Sequence, residues 1–150
     1  MITIAWLYPY ELTLYGESGN IKALMYTLDK ENIKYKLEII DKDTKLELDK
    51  YDFIYMGSGR PKCLEDVKQH LLPYKEEFLN YIENDKILLA TGNAISILDF
   101  LDLYDVKYCK KREVHDVDAT TSLCKGHIVG FQNTEYLIDS TKNIIFNINE

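Results

Sequence analysis

The chain has 150 residues, of which 46% are hydrophobic and 29% are charged. This size and composition predict one ordinary globular domain and exclude disordered, collagen-like and coiled-coil proteins. The net charge is -7, and the lysines are interleaved with acidic residues, so nucleic acid is not an expected partner. The cysteines are widely spaced without a CxxC motif, and the apolar N-terminal run ends at Pro9. We therefore expect a cytoplasmic protein with free thiols and no membrane insertion.

The first part of the chain predicts alternating strands and helices. Residues 2–7, ITIAWL, are apolar and rich in β-formers, and they predict a buried first strand. The apolar residues of 18–32 recur at helical spacing, which predicts a helix. The segment YKLEII at 35–40 alternates and predicts a second strand, and the apolar run YDFIYMG at 51–57 predicts a third that is buried on both faces.

Two helical segments and a fourth strand follow. Residues 62–84 carry helix signals, with Pro73 either ending one helix or starting the next. KILLAT at 86–91 predicts the fourth strand, and residues 93–103 predict the helix after it. Strands separated by helical crossovers of this length pair in parallel. We therefore expect an open, mainly parallel, doubly wound α/β sheet with helices on both faces.

After residue 104 the pattern changes. The segments at 111–121, 127–139 and 143–150 are β-rich, with turn residues between them and no helical period. We expect them to form a mostly antiparallel β portion. Because no linker is long enough to separate two domains, the prediction is a single domain over residues 1–150.

Three loops are candidates for a functional site. Ligands bind at the carboxyl ends of the strands in open parallel sheets, so the loop at 8–20, the GSGRP turn at 57–61 and the TGN corner at 91–93 should converge. Glycines in the GSGRP turn would let backbone amides point at an anion or a carbonyl oxygen, as an oxyanion hole requires. A plain turn from strand to helix explains the same glycines, and on the sequence alone it is the favoured interpretation.

Two motifs carry a resemblance to a known family: LYG-x-x-GN at residues 14–20 and GF-x-N at 130–133. With the GSGRP turn and the corner after ILLA, they resemble the glutamine amidotransferase-like proteins of the cobyric acid synthase and GatD type, a branch of the class I amidotransferases. The match spans nearly the whole chain. The resemblance implies a flavodoxin-like domain that hydrolyses glutamine and passes ammonia to a ligase, in the GatD case the Mur-ligase-like MurT that amidates lipid II.

The resemblance places Thr91 where the family has its nucleophilic cysteine. The family's corner reads C-G-G-Y-Q, and the matching residues here begin with Thr91, Gly92 and Asn93. A threonine hydroxyl is barely ionised at neutral pH, and a β-branched residue is disfavoured in the positive-φ conformation of a nucleophile elbow. We therefore predict a relaxed corner in which Thr91 serves as a helix N-cap.

The family's catalytic histidine has no match either. It lies well downstream of GF-x-N, whereas this sequence ends at Glu150, and none of His70, His115 and His127 occupies its place. We therefore expect a domain that is shortened at its C-terminus relative to the family. Arg112 matches an arginine of the family's glutamine site, although an arginine on a surface strand needs no ligand. The resemblance implies a substrate and oxyanion pocket formed by Gly57, Ser58, Gly59, Arg60, Gly92, Asn93 and Arg112.

These observations favour a glutamine amidotransferase-like domain without glutaminase activity, which acts as a binding or partner module for a Mur-ligase-like ligase of the MurT type. One alternative is an active subunit that hydrolyses glutamine through a rearranged nucleophile, either Thr91 or Cys63, and supplies ammonia for amidation of lipid II or a cobyric-acid-like acceptor. Another is a flavodoxin-like module that binds glutamine or a related small molecule. Asp116 and Asp118 alternate on one strand face, where solvent is the usual environment, so we expect neither a metal nor a cofactor.

Overall fold

The computed structural model describes residues 1–121, 125–137 and 146–149. The chain forms two compact units, Met1–Tyr104 and Asp105–Glu150, each with a sheet of its own. Within the described ranges, no helix is both long enough and apolar enough to cross a lipid bilayer. The expectation of one domain over residues 1–150 stays a prediction.

The first unit is built on a parallel sheet of four strands in the order β2-β1-β3-β4. Its strands are β1 (Ile2–Leu7), β2 (Tyr35–Ile40), β3 (Phe53–Met56) and β4 (Ile87–Ala90). Each pair of neighbouring strands is parallel, which confirms the predicted α/β architecture. In this order the chain moves from β1 outwards to β2 and then returns to the other side of β1. Ligands of doubly wound sheets bind at such a switch point, beyond the carboxyl ends of the strands.

Helices connect the strands as the sequence predicts. They are α1 (Ser18–Lys30), α2 (Pro61–Leu71), α3 (Lys75–Glu83) and α4 (Ile95–Phe100), with 3₁₀ turns at Leu48–Lys50, Leu72–Tyr74 and Gly92–Ala94. Pro61 occupies the first turn of α2, where its missing N–H has no intrahelical partner to lose. Pro73 lies in the 3₁₀ turn that separates α2 from α3, so it marks the boundary between the two helices.

The last helix of this unit is shorter than its apolar spacing predicts. It ends at Phe100 rather than Leu103 because Asp102 adopts a left-handed conformation with φ of 54°. The amide of Leu103 then donates to the carbonyl of Leu98 at 2.9 Å, which closes the helix end. The left-handed residue is an aspartate, a type that tolerates this conformation better than most, so only a weak sequence signal marked the boundary.

The main core lies between one face of the sheet and helices α2, α3 and α4. Side chains that alternate along β1 and β3 supply the sheet's half of this core, namely Ala5, Leu7, Ile54 and Met56. The helices supply buried side chains that include Val67, Leu71, Phe78, Tyr81 and Ile97. Full burial of a large apolar side chain contributes about 1.5–3 kcal/mol. The core therefore fixes the carboxyl ends of β1, β3 and β4 relative to one another.

The second unit is a three-stranded antiparallel sheet in the order β6-β5-β7. Its strands are β5 (Lys107–Thr121), β6 (His127–Leu137) and β7 (Phe146–Asn149). This arrangement confirms the predicted antiparallel character of the C-terminal portion. The pairing of β5 with β6 shifts register between Tyr108 and Glu113, which marks an irregularity in the ladder. Parts of the predicted strands at 127–139 and 143–150 lie outside the described residues.

Candidate functional site: a buried carboxylate at the strand ends

The three loops that the sequence brings to the carboxyl ends of the strands do meet in the first unit. The amide of Leu14, in the loop after β1, donates to the carbonyl of Ser58 in the turn after β3 at 2.9 Å. The side chain of Asn93, after β4, bonds the backbone of Gly59 in both directions, accepting at 3.0 Å and donating at 2.8 Å. These hydrogen bonds hold the three loops against one another at the switch point of the sheet.

The centre of the site is the carboxylate of Glu17, which stands immediately before α1 and is only 3% exposed. Its Oε2 atom accepts hydrogen bonds from the Tyr55 hydroxyl at 2.5 Å and from the Thr91 hydroxyl at 2.9 Å. The Asn20 amide donates to the same oxygen at 3.2 Å and to the Tyr55 hydroxyl oxygen at 2.7 Å. Side chains from α1, from β3 and from the corner after β4 thus converge on one oxygen atom.

The electrostatics of this cluster favour an ionised glutamate. Burial raises the pKa of Glu17, but hydrogen bonds from Tyr55, from the Ser58 backbone and from Thr91 together outweigh it, so the pKa lies below its ordinary value. Burial, together with the hydrogen bond to Glu17, raises the pKa of Tyr55, although its contacts with Asn20 and Thr91 act in the opposite direction. At neutral pH the site therefore holds a carboxylate acceptor with a protonated phenol as donor.

Gly57 explains how a glutamate side chain fits at this position. A Cβ atom on Gly57 would lie 2.6 Å from the Cγ of Glu17 and 2.7 Å from the backbone carbonyl oxygen of Leu12. Real Cβ contacts are essentially never that short, so the residue has to be glycine for the two loops to approach. The Glu17 side chain consequently lies directly against the first residue of the GSGRP turn.

Thr91 has an ordinary extended backbone, with φ of -106° and ψ of 145°. The positive φ falls on Gly92 instead, at 54°, where a Cβ would lie 2.3 Å from the Ser58 hydroxyl oxygen. The expectation of a relaxed corner is therefore confirmed. Thr91 stands at the N-cap of the 3₁₀ turn, as expected of a helix N-cap, but the side-chain hydrogen bond of such a cap is not formed. Its hydroxyl donates to the ionised Glu17, and a hydrogen bond to a charged acceptor is the stronger of the two.

The backbone amides of the GSGRP turn are engaged by the chain's own side chains. The amide of Gly59 donates to Asn93, and the amide of Ser58 is among the donors that lower the pKa of Glu17. The Ser58 hydroxyl donates to the Thr91 carbonyl at 3.2 Å. The amides of Ser58 and Gly59 thus already have acceptors within the protein. The oxyanion role of this turn stays a prediction.

The remaining predicted site residues lie elsewhere. Arg60 is exposed at the N-cap of α2, and Cys63 is a free, half-buried thiol in the first turn of that helix. Arg112 belongs to the second unit, where it contacts β6 by donating to Asn133 at 3.0 Å and by pairing with Glu135 at 3.5 Å. Its side chain is 51% exposed. These contacts are typical of an arginine on an exposed strand, and a role at a glutamine site stays a prediction.

The described part of the chain shows no histidine hydrogen-bonded to Thr91 or Glu17. His70, on α2, is 2.8 Å from the Tyr8 hydroxyl through Nδ1, and His127 is 2.8 Å from Asp118 in the second unit. Nor do the described residues contain a group of three or more side chains that could hold a metal ion. The polar chemistry of the site therefore comes from a carboxylate, three hydroxyls, two amide side chains and the backbone of a glycine turn.

Sequence reasoning missed Glu17, Tyr55 and Asn20. Glu17 is one of the two unspecified positions in LYG-x-x-GN, and Asn20 is the last residue of that motif. The available signal was that an acidic residue follows a buried strand at the edge where ligands bind. Tyr55 was harder to predict as a site residue, because a tyrosine within an apolar strand usually serves packing alone.

The strand order and the position of the polar site define an α/β domain of flavodoxin-like fold. No protein-family model matches the chain. Over 97 residues, or 65% of its length, the chain is 29% identical to the lipid II isoglutaminyl synthase (glutamine-hydrolyzing) subunit GatD of Streptococcus pneumoniae (strain ATCC BAA-255 / R6). The match covers 37% of that protein, so the chain matches well under half the length of this relative.

A crystal structure gives a second comparison. The fold is similar to that of a Thermoplasma acidophilum protein assigned as a GMP synthase subunit, with a TM-score of 0.51, 12% identity, and coverage of 95% of this chain and 70% of that one. At this identity the likeness concerns the fold alone. The similarity to GatD confirms the resemblance to glutamine amidotransferase-like proteins that the sequence motifs carry, and the structural likeness supports the fold.

Proposed function

We propose that this chain is a glutamine amidotransferase-like module of the GatD type that binds a ligand or a partner and does not hydrolyse glutamine. Its partner would be a Mur-ligase-like amidating ligase in the cytoplasm. The observation that carries this proposal is the state of Thr91, whose hydroxyl donates to a buried, ionised carboxylate from an extended backbone. A nucleophile needs a base that takes its proton near neutral pH, and a carboxylate with a lowered pKa is too weak a base for this.

One specific contact favours the alternative of an active enzyme. The hydrogen bond from Thr91 to Glu17, at 2.9 Å, has the geometry of a nucleophile and its base. Two features weigh against this role. The pKa of Glu17 is lowered, which makes it a weak base, and its Oε2 atom also accepts from Tyr55 and Asn20. We therefore assign the pair to binding and stability, and measurement of turnover separates the two assignments.

A partner-binding role is supported by the loop after β1. Tyr10, Leu14 and Tyr15 in this loop are exposed, at 73%, 37% and 75%, beside the residues that form the site. Aromatic residues are enriched in protein interfaces because they bury much surface at low entropic cost. The similarity to a protein named as part of a glutamine-hydrolysing synthase makes a ligase the natural candidate for the partner.

Glutamate release from glutamine tests the catalytic part of the proposal. The purified chain, with and without a candidate Mur-ligase-like protein, is expected to release no more glutamate than buffer does, and Thr91→Ala should behave in the same way. Turnover that is lost in Thr91→Ala would establish the hydroxyl as the nucleophile. Turnover that is lost in Cys63→Ser would assign the thiol instead. Either result overturns the proposal.

Two binding measurements test the rest. Calorimetric titration of the candidate ligase should show binding that is at least tenfold weaker for the double variant Tyr10→Ala and Tyr15→Ala. A thermal-shift screen with glutamine, glutamate and nucleotides tests for a small-molecule module, because a ligand that binds the folded state raises its apparent stability. A ligand shift without ligase binding would favour the small-molecule module over the partner module.

A further inference from the structure

We propose that the pocket between the GSGRP turn and the side chains of Tyr55, Thr91 and Asn20 is a carboxylate-binding site whose resident ligand is Glu17 of the same chain. This inference rests on the proposed function in treating the site as one that binds rather than hydrolyses. It adds the chemical class of the ligand, which is a small carboxylate. It also explains why the site is closed, since the chain itself fills it.

The donors are arranged as they would be around a bound ligand. Two hydroxyl groups that donate to Oε2 of Glu17 come from segments far from it in sequence: Tyr55 lies on β3 and Thr91 lies beyond β4. The parallel sheet fixes both positions independently of Glu17, because Tyr55 is a paired residue of β3 and Thr91 directly follows β4. Asn20 bonds both Tyr55 and Glu17, which orients the phenol towards the carboxylate. A pocket of fixed hydrogen-bond donors favours an anion without a compensating cation.

Charge and shape both specify a carboxylate. In the described part of the chain, no lysine or arginine forms an ion pair with Glu17, so its negative charge is balanced by dipoles alone. The floor of the pocket is Gly57, whose missing Cβ leaves room for a methylene group in contact with the turn. A CH₂-carboxylate fragment therefore fits both the polar and the apolar part of the pocket.

Acetate is the probe that matches this fragment. The substitution Glu17→Ala keeps Cβ and removes Cγ with the carboxylate, so acetate supplies the atoms that the variant lacks. The Tyr55 and Thr91 hydroxyls and the Asn20 amide then face the vacated volume. If the pocket is a carboxylate site, acetate should bind there and stabilise the folded variant by mass action.

The experiment measures thermal unfolding of the full chain at pH 7 in sodium acetate against sodium chloride of equal concentration. Acetate at about 0.2 M is expected to raise the Tm of Glu17→Ala by roughly 5 °C and that of the wild type by less than about 1 °C. Glu38→Ala is the matched control, because Glu38 also accepts a tyrosine hydroxyl, from Tyr51 at 2.8 Å, but lies 31% exposed without a glycine floor. Its Tm should respond as the wild type does.

A double variant and a folding test of Glu17→Ala in acetate allow the proposal to be refuted. Adding Tyr55→Phe to Glu17→Ala removes a donor from the pocket and should abolish most of the acetate response. If Glu17→Ala does not fold in chloride, acetate is expected to recover its folded circular dichroism spectrum. Equal shifts in all variants, or no response of Glu17→Ala to acetate by either readout, overturn the proposal. These results are independent of glutamate release, so a failure here is distinguishable from a failure of the proposed function.

Discussion

The substitution Gly57→Ala tests the close approach between the GSGRP turn and the loop that carries Glu17. The new Cβ would lie 2.6 Å from Cγ of Glu17 and 2.7 Å from the carbonyl oxygen of Leu12. A backbone atom cannot rotate away as a side-chain end can, so the loop or the strand end has to shift. Overpacking of this kind costs about 1–3 kcal/mol, and loss of glycine entropy in the unfolded chain offsets about 0.4–1 kcal/mol. We expect a net loss of roughly 1–2 kcal/mol.

Urea unfolding followed by the fluorescence of Trp6 measures this loss, because Trp6 is the only tryptophan and lies on β1 of the same unit. Gly19→Ala is the matched control. Gly19 is in the first turn of α1, and its Cβ would meet nothing within 4 Å, so alanine should stabilise the helix by up to about 0.5 kcal/mol, less than in a helix interior. If Gly57→Ala is as stable as the wild type while Gly19→Ala gains stability, the Glu17 side chain does not lie over the turn and the close approach is refuted.

The remaining predictions concern the charges of the site and an arginine outside it. Tyr55→Phe removes a donor to a charged acceptor and should lower the free energy of unfolding by about 1.5–3 kcal/mol in the same urea assay. Because the pKa of Glu17 is lowered on folding, its stabilising effect is present above the unfolded pKa of about 4.3 and is lost as pH falls through the folded pKa. The stability difference between wild type and Glu17→Gln should therefore shrink between pH 6 and about pH 3, and a constant difference would contradict the assigned charge. Arg112→Ala should change stability by less than about 0.5 kcal/mol by thermal unfolding, because its ion pair is exposed; a larger loss would show that the arginine has a structural role.

The fold was largely predictable because its signals are local and strong. The strands of the first unit are short apolar runs bounded by turn residues, and Tyr35–Ile40 is found at its predicted bounds. Helix ends were less predictable. The end of α4 depends on a left-handed aspartate, a backbone choice that apolar spacing does not report. The 3₁₀ turn at Leu48–Lys50 was missed, because three residues are too few to show a helical period.

The site was predictable in its position but not in its contents. The rule that loops meet beyond the carboxyl ends of parallel strands placed Thr91 and the GSGRP turn together. The rule does not predict which side chain occupies the space between Thr91 and the GSGRP turn. That depends on the close approach of Glu17 to Gly57, a contact between residues 40 positions apart that no local pattern encodes. For the same reason the missing side-chain hydrogen bond of the Thr91 N-cap was not predictable, since the competing acceptor comes from a distant loop.

The most direct test of the account is covalent labelling by a glutamine analogue that carries an electrophile at the amide carbon. Intact and peptide mass spectrometry, with and without excess glutamine, locates any adduct. The account predicts no glutamine-protected adduct on the wild-type chain, with or without the candidate ligase, because the Thr91 hydroxyl donates a hydrogen bond to an ionised Glu17 that is too weak a base to take its proton. A stoichiometric adduct on the peptide that contains Thr91, or on that of Cys63, suppressed by glutamine, would contradict it.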